Sequence, residues 1–360
     1  MVASPFHLFV ATGLAMDTGD ATNDLILAIG HPSMREYHSQ LARCEMYPFR
    51  NMVEINRDFH GASYLSKWRV IRNNIDRVRK FVELSPPESV FCGNDTFPSF
   101  QCGLSLVRAE DHNSDRVHVD DGSASYNSCS FRVGSRIELF LKRIMFGRWL
   151  HEVGQLGTTR HIDRLLLIYP ELAVRSLQVK PCRPLLPDRL QSPEMIRLYA
   201  ESAGADLAGC FEAAGSKAMV FPSSSIVWGT GASRYKQGMR ELCAVLHDNL
   251  TTPIVKYHPF ERSSDWCGLE GMPGVTIVPQ HLPAECLFLL GSRTIDLVVG
   301  DVSTSLLTAR WLLGANLRIV VLGEFAKEKD AQLLGILRKL DATVVSSARE
   351  LDGQMRSLRA

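Results

Sequence analysis

The sequence has almost no charge imbalance, since 40 Lys and Arg stand against 39 Asp and Glu for a net charge of +1. That excludes a global electrostatic footprint for nucleic acid, so any basic surface must be local. Metal-binding cysteine spacing is also missing. The nine cysteines are scattered, odd in number, and include no CxxC or Cys/His cluster, a pattern of reduced thiols rather than of a disulfide frame or a zinc site. No apolar stretch approaches the ~20 residues that span a bilayer. The opening "MVASPFHLFVATGLAM" has an apolar run but lacks the basic flank of a signal peptide. Low-complexity tracts are absent, and 17 Pro with 26 Gly are too few to imply disorder. The expectation is a cytoplasmic protein that meets a membrane, if at all, peripherally at its inner face.

What is present is core-forming sequence. With 360 residues, 45% hydrophobic and 22% charged, the chain is long enough for two domains of about 100–200 residues. Short apolar runs recur: "HLFVAT", "LILAIG", "MVEIN", "SVFCG" and "RVHV", then "LLLIY", "AMVFP", "PIVKY", "VTIVP", "DLVVG" and "RIVVLG". Between them lie segments of helical period, such as "SKWRVIRNNIDRVRKFVEL" with Trp68, Ile71, Ile75, Val78 and Phe81, and "ASRYKQGMRELCAVLHDNL" with Met239, Leu242 and Leu246. Buried strands alternating with helices predict an α/β protein with parallel sheets covered on both faces. The stretch "VKPCRPLLPDRLQSPE" (179–194) carries four prolines, which resist helix and sheet alike. It is the predicted linker between two doubly wound domains, 1–185 and 186–360.

Ligands of such sheets bind beyond the C-terminal strand ends, and there the polar oddities of this sequence fall. After "RVHV" come Asp120, Asp121 and Gly122, which form either a solvated turn or a site that uses one acid as a base. After "PIVKY" come His258 and Pro259, with Lys256 two residues earlier; the proline holds the histidine extended at a strand tip. After "DLVVGDV" come Ser303 and Thr304 at a helix start, where hydroxyls serve as caps or, with the backbone N–H groups, as a phosphate site.

The order acidic-acidic-Gly, His-Pro, Ser-Thr resembles that of the bacterial GT-B sialyltransferases, including the capsule polysialyltransferases and lipooligosaccharide sialyltransferases. The opening "ASPFHLF", with Ser4 and Pro5, is similar to the Ser/Thr-Pro at their first strand. The resemblance implies two Rossmann-like domains facing a central cleft, an N-terminal acceptor side and a C-terminal CMP-binding side. It implies transfer of a sialic acid, or a related nonulosonic acid, from its CMP donor to a glycan hydroxyl with inversion, and without cofactor or metal. Asp120 or Asp121 would be the base, with a lean to Asp120, and Gly122 would let the acceptor approach. His258 would bind and protonate the phosphate, Ser303 and Thr304 would hold it, and Lys256 and Pro259 would contact the CMP donor beside it.

Glu285, in "HLPAECLFLL", is similar to a Pro-x-Glu feature that binds the ribose, or is simply a helix-start acid. Ser223 to Ser225 in "VFPSSSIVWG" would line the donor side or form a plain turn, and Gly93, Asn94 and Asp95 in "FCGNDTFPSF" would contact acceptor or donor. A donor such as CMP-Kdo, a nucleotide-sugar epimerase or hydrolase, and a silent glycan-binding relative are the competing readings. Finally, "RVGSRIELFLKRIMFGRWLHEVG" (132–154) sets Arg132, Arg136, Lys142, Arg143 and Arg148 around Ile137, Phe140, Leu141, Ile144, Met145 and Trp149. It is either a core helix with a basic edge or a helix that lies on an anionic bilayer or grips an acidic glycan; capsule-assembly proteins are the other partners the resemblance suggests.

Overall fold

A computed structural model describes all residues except 20–21, 58–62, 108–114, 129–133, 213–214, 229–230, 328–329 and 358–360. The chain divides into two compact units, Met1–His38 with Tyr47–Leu190, and Ser39–Met46 with Gln191–Ala360. The first therefore runs past residue 185 to Leu190, where Arg189 pairs with Asp17 of the same unit at 3.3 Å.

In the first unit the strands are β1 (Asn23–Ile29), β2 (Phe49–Asn56), β3 (Ser89–Cys92), β4 (Asp115–Val119), β5 (Arg164–Leu167) and β6 (Cys182–Pro184). The helices are α1 (Pro5–Asp17), α2 (Pro32–Leu41, whose last residues from Ser39 belong to the second unit), α3 (Tyr64–Leu84), α4 (Pro98–Leu106), α5 (Ser123–Tyr126) and α6 (Arg136–Phe146). β1 pairs with β2, and β3, β4, β5 and β6 pair in that order, every pair parallel. The gap between these two ladders is closed by the first residues of the chain. The Val2 N–H donates to Ile26 O and the Ala28 N–H to Val2 O, each at 2.9 Å, while the Met1 amine donates to Phe91 O at 2.6 Å and the Gly93 N–H to Met1 O at 3.1 Å. Counting this stretch as the first strand, the order across the unit starts 3-2-1-4-5-6, the Rossmann order.

The segment "HLFVAT" is thus not the first strand but the start of α1. Ser4 caps the helix by accepting from the His7 N–H at 3.2 Å, and Pro5 occupies its first turn, where a missing N–H costs nothing. A helix buried on all sides has no polar face, so its period is hidden. The proline-rich stretch is likewise only partly a linker, because Cys182–Pro184 is a sheet-edge strand, the position where proline is tolerated.

In the second unit the strands are β7 (Lys217–Phe221), β8 (Thr252–Val255), β9 (Thr276–Ile277), β10 (Ile295–Gly300), β11 (Arg318–Leu322) and β12 (Thr343–Val345). The helices are α7 (Pro193–Ala203), α8 (Ala205–Glu212), α9 (Ala232–Asp248), α10 (Ala284–Leu290), α11 (Thr304–Leu313), α12 (Ala331–Lys339) and α13 (Ala348–Ser357). All strand pairs are parallel in the order β12-β11-β10-β7-β8-β9, which is again 3-2-1-4-5-6 counted within the unit. Its core packs Val220, Val255, Leu297 and Val320 from the strands against Met239, Leu242 and Leu246 of α9. The first unit buries Ile26, Ala28, Val90 and Leu165 against Val78 and Val82 of α3, whose Ile75 is also buried. Trp68 of α3 lies outside that core, stacked on Phe146 with 4.7 Å between ring centres.

Candidate functional site

Each unit reverses its strand order between its first and fourth strands, and in open α/β sheets the crevice at that reversal is the ligand-binding position. In the first unit this point lies between residues 1–3 and β3, with β4 adjacent. The two aspartates beyond β4 are placed in opposite surroundings.

Asp120 has no exposed surface. One carboxylate oxygen accepts from the Gly122 N–H at 2.7 Å; the other accepts from the Ile168 N–H at 2.9 Å and from the Tyr126 hydroxyl. Burial pushes its carboxyl up to about 6 against the pull of those hydrogen bonds. All of its acceptor capacity is turned to holding the β4–α5 turn against β5. Gly122 has φ +73°, in the left-handed region that favours glycine, so the turn itself demands it.

Asp121 keeps 21% of its side chain exposed, and its Oδ1 lies 2.9 Å from Nε2 of His7. The His7 ring, 2% exposed, lies so close over Gly93 that a Cβ there would fall 2.4 Å from its carbons. Glycine at 93 is therefore what allows the imidazole to reach Asp121. Below them, His118 of β4 is fully buried, with no hydrogen-bond partner on either ring nitrogen among the described residues. Burial lowers its pKa, opposed by the charges of Asp95 and Asp121. Asp95 is buried and accepts from the Gly157 N–H at 2.9 Å and the Thr159 N–H at 3.2 Å. Asn94 turns its Oδ1 back on the Thr96 N–H at 3.0 Å, and Ser4 is occupied as the α1 cap; both position backbone.

In the second unit the reversal lies between β7 and β10. Asp301, just past β10, is 6% exposed; its Oδ2 accepts from the Ser223 hydroxyl and, at 2.8 Å, from the Tyr235 hydroxyl. Its Oδ1 is buried without a hydrogen-bond partner among the described residues, and burial pushes its carboxyl up to about 6. Tyr235 also accepts from the Ser223 N–H at 2.7 Å, and its ring stacks between Trp228 and Trp266 at 4.4 and 5.3 Å. Ser224 and Ser225 are held by Glu261, which accepts from the Ser225 N–H at 2.6 Å and from both hydroxyls, at 3.2 and 2.8 Å. Burial alone would raise the Glu261 pKa, but these bonds outweigh it and lower it.

Ser303 stands at the cap of α11 with Thr304 next, yet its hydroxyl makes no cap hydrogen bond and has no other partner among the described residues. His258 lies past the end of β8 and is exposed, with Nδ1 accepting from the Phe260 N–H at 3.1 Å and Pro259 fixing the turn between them. Strand β8 ends at Val255, not at Tyr257. Lys256 is buried, donating to the carbonyls of Tyr257 at 2.5 Å and Gln280 at 3.0 Å. Burial drives its pKa down to about 7 against the opposing charge of Glu285. Glu285 is 5% exposed and accepts from the Thr308 hydroxyl of α11 at 2.8 Å; burial raises its pKa. The direct ligand contacts expected of Lys256 and Glu285 therefore find no support in the geometry, since both side chains are engaged inside the unit.

Ser223, Ser303 and Thr304 do converge at one strand reversal, and Asp121 marks the other. His7, His118, Tyr235, Glu261 and Asp301 went unassigned in the sequence. Only Asp301 carried a signal, its place between a strand and a hydroxyl pair. A recess of about 290 Å³ in the first unit is lined by Leu14, Phe91, Val117 and Arg183, and its lining includes neither aspartate.

No protein-family model matches this sequence, and no curated protein matches it either. Solved structures do. The chain is similar to a UDP-GlcNAc 2-epimerase from Neisseria meningitidis solved with UDP-GlcNAc, at 12% identity over 99% of this chain and 88% of that one, with a TM-score of 0.54. It is also similar to an α/β-galactoside α-2,3-sialyltransferase from Photobacterium phosphoreum, at 10% identity over 91% and 99%, with a TM-score of 0.52. The protein therefore has the GT-B fold, built from two Rossmann-like units.

Proposed function

We propose that the protein is a GT-B sugar-nucleotide enzyme, and specifically an inverting sialyltransferase that moves a sialic or related nonulosonic acid from its CMP donor to a glycan hydroxyl. One observation carries the reading: of two adjacent acids at a strand reversal, Asp120 is sealed by protein donors while Asp121 remains accessible with a histidine against it. In this reaction the acceptor oxygen bonds to the anomeric carbon as its proton passes to Asp121. The bond from that carbon to the phosphate oxygen breaks, leaving the electron pair on CMP. His7 orients the Asp121 carboxylate, and Asp120 braces the turn.

In the second unit, the start of α11 offers N–H groups and the uncommitted Ser303 hydroxyl to the phosphate, with Thr304 beside it. His258 would protonate or bind the departing phosphate. Lys256 and Glu285 act indirectly, fixing the loop after β8 and the α10–α11 pair.

The likeness to a UDP-GlcNAc 2-epimerase supports a second reading, a sugar-nucleotide epimerase or hydrolase on the same fold. Incubation with CMP-sialic acid and a galactoside panel, beside UDP-GlcNAc, separates the two. Acceptor-dependent CMP release supports the transferase; UDP release or a C2 epimer supports the other. No turnover of CMP-sialic acid, with CMP binding unaltered in His258→Ala, sinks the transferase reading.

A further inference from the structure

Helix α6 contributes no buried residue. Ile137, Phe140, Leu141, Ile144 and Met145 recur at the spacing of one helical face, and all are exposed, from 50% for Met145 to 73% for Ile137. The core-helix reading of this segment is therefore wrong. At the N-terminal turn of α3, Tyr64 and Leu65 add further exposed apolar surface, each at 72%.

The helix is nonetheless firmly held on its other side. Phe146 stacks on Trp68, Arg143 donates to Leu150 O at 2.8 Å, and Lys142 reaches Glu138 at 2.9 Å and Glu152 at 3.1 Å. Ser135 caps the start, accepting from the Glu138 N–H at 3.1 Å. A rigid helix that points a continuous apolar stripe outward is an interaction surface.

The charge around it selects the partner. Arg136, Lys142 and Arg143 lie in α6 and Arg148 just past it, Lys67, Arg69 and Arg72 lie in the first turns of α3, and within segments 64–72 and 134–152 the acids are Glu138 and Glu152, in a chain whose net charge is +1. The local cation surplus thus exceeds that of the whole molecule. A second copy docked on this face would set like charges against each other, whereas anionic lipid headgroups above an acyl layer satisfy both the cations and the stripe.

We propose that α6 and the first turn of α3 seat the protein on an anionic lipid bilayer, independently of which sugar chemistry it performs. The helix lies in the connection from β4 to β5, after α5.

Co-sedimentation of the full chain with vesicles tests this. Binding to phosphatidylcholine vesicles containing about 30% phosphatidylglycerol should be at least ~10-fold tighter than to phosphatidylcholine alone and should weaken with salt. The variant Ile137→Ser/Phe140→Ser/Ile144→Ser, altered only at exposed positions, should keep its thermal transition and lose binding at least ~10-fold. Arg136→Glu/Arg148→Glu should lose the preference for anionic vesicles. Absence of vesicle binding, or equal binding by the serine variant, overturns the proposal. So does concentration-dependent dimerisation in sedimentation velocity that the serine variant abolishes, if vesicles are not bound.

Discussion

The two strand reversals share one topology and hold opposite chemistry. In the first unit two acids are adjacent in sequence, and the structure separates them: Asp120 has no exposure and three N–H or O–H donors, and Asp121 has 21% exposure and an imidazole. In the second unit one acid, Asp301, stands among hydroxyls, with one oxygen engaged twice and the other buried without a partner among the described residues. The 3-2-1-4-5-6 order places side chains; the residue ending each strand decides what can be done there. The first reversal suits proton removal from an alcohol, and the second, with its serine and threonine hydroxyls, suits the holding of a polar leaving group.

The largest effect expected concerns the split between the acids. Asp121→Asn should lower acceptor-dependent CMP release by about 10²–10⁴-fold with its thermal transition unmoved, the range for loss of a general base. Asp120→Asn should instead act on stability. It replaces an acceptor oxygen by an NH2 group facing bound donors, at a cost of about 2–3 kcal/mol and a fall in Tm of roughly 5–10 °C. Equal losses of rate with no change in Tm for both variants would erase the distinction.

Tyr235→Phe probes the second reversal. It deprives Asp301 of a donor and the Ser223 N–H of its acceptor, and should cost about 1–2 kcal/mol in denaturant unfolding.

The pH dependence sharpens the comparison further. Asp120 and Asp301 both sit at about 6 in the folded protein, above their ordinary value. Each therefore favours the folded state most below pH ~4, and that contribution is lost as pH rises to ~6. Lys256 has the opposite sign: with its pKa down at about 7, it favours folding most above pH ~10, and this is lost as pH falls through ~7. Thermal melts of Lys256→Met between pH 6 and 10 should therefore be flatter than those of the parent chain. An unchanged slope would show that Lys256 is not the buried titrating group.

The smallest effect on stability belongs to His258→Ala. The side chain is exposed, so unfolding should move by no more than ~0.5 kcal/mol, while CMP affinity by calorimetry falls. Unaltered CMP affinity would remove His258 from the proposed donor site and leave the α11 start as its only proposed phosphate contact.

Most strands were legible because buried parallel strands are apolar runs, as in "LILAIG" and "DLVVG". The exceptions have physical causes. Residues 1–3 are too few to show a period, yet they pair on both sides and join the first sheet. Helix α1 is apolar all round and reads as a strand, and β6 hides among prolines. Within the sites, the turn "DDG" and the pair Ser303-Thr304 could be placed at strand ends from sequence. His7 could not, because its meaning depends on a glycine 86 positions away that leaves room for its ring.

The amino-acid sequence by itself determined the alternation of strands and helices, the presence of two units, and the polar residues at their strand tips, because these follow from local period and turn chemistry. Tertiary structure alone decided which aspartate is accessible, that Glu285 and Lys256 are buried, and that the apolar stripe of α6 faces outward. Those properties depend on desolvation and on partners distant in the chain, and no local pattern encodes either.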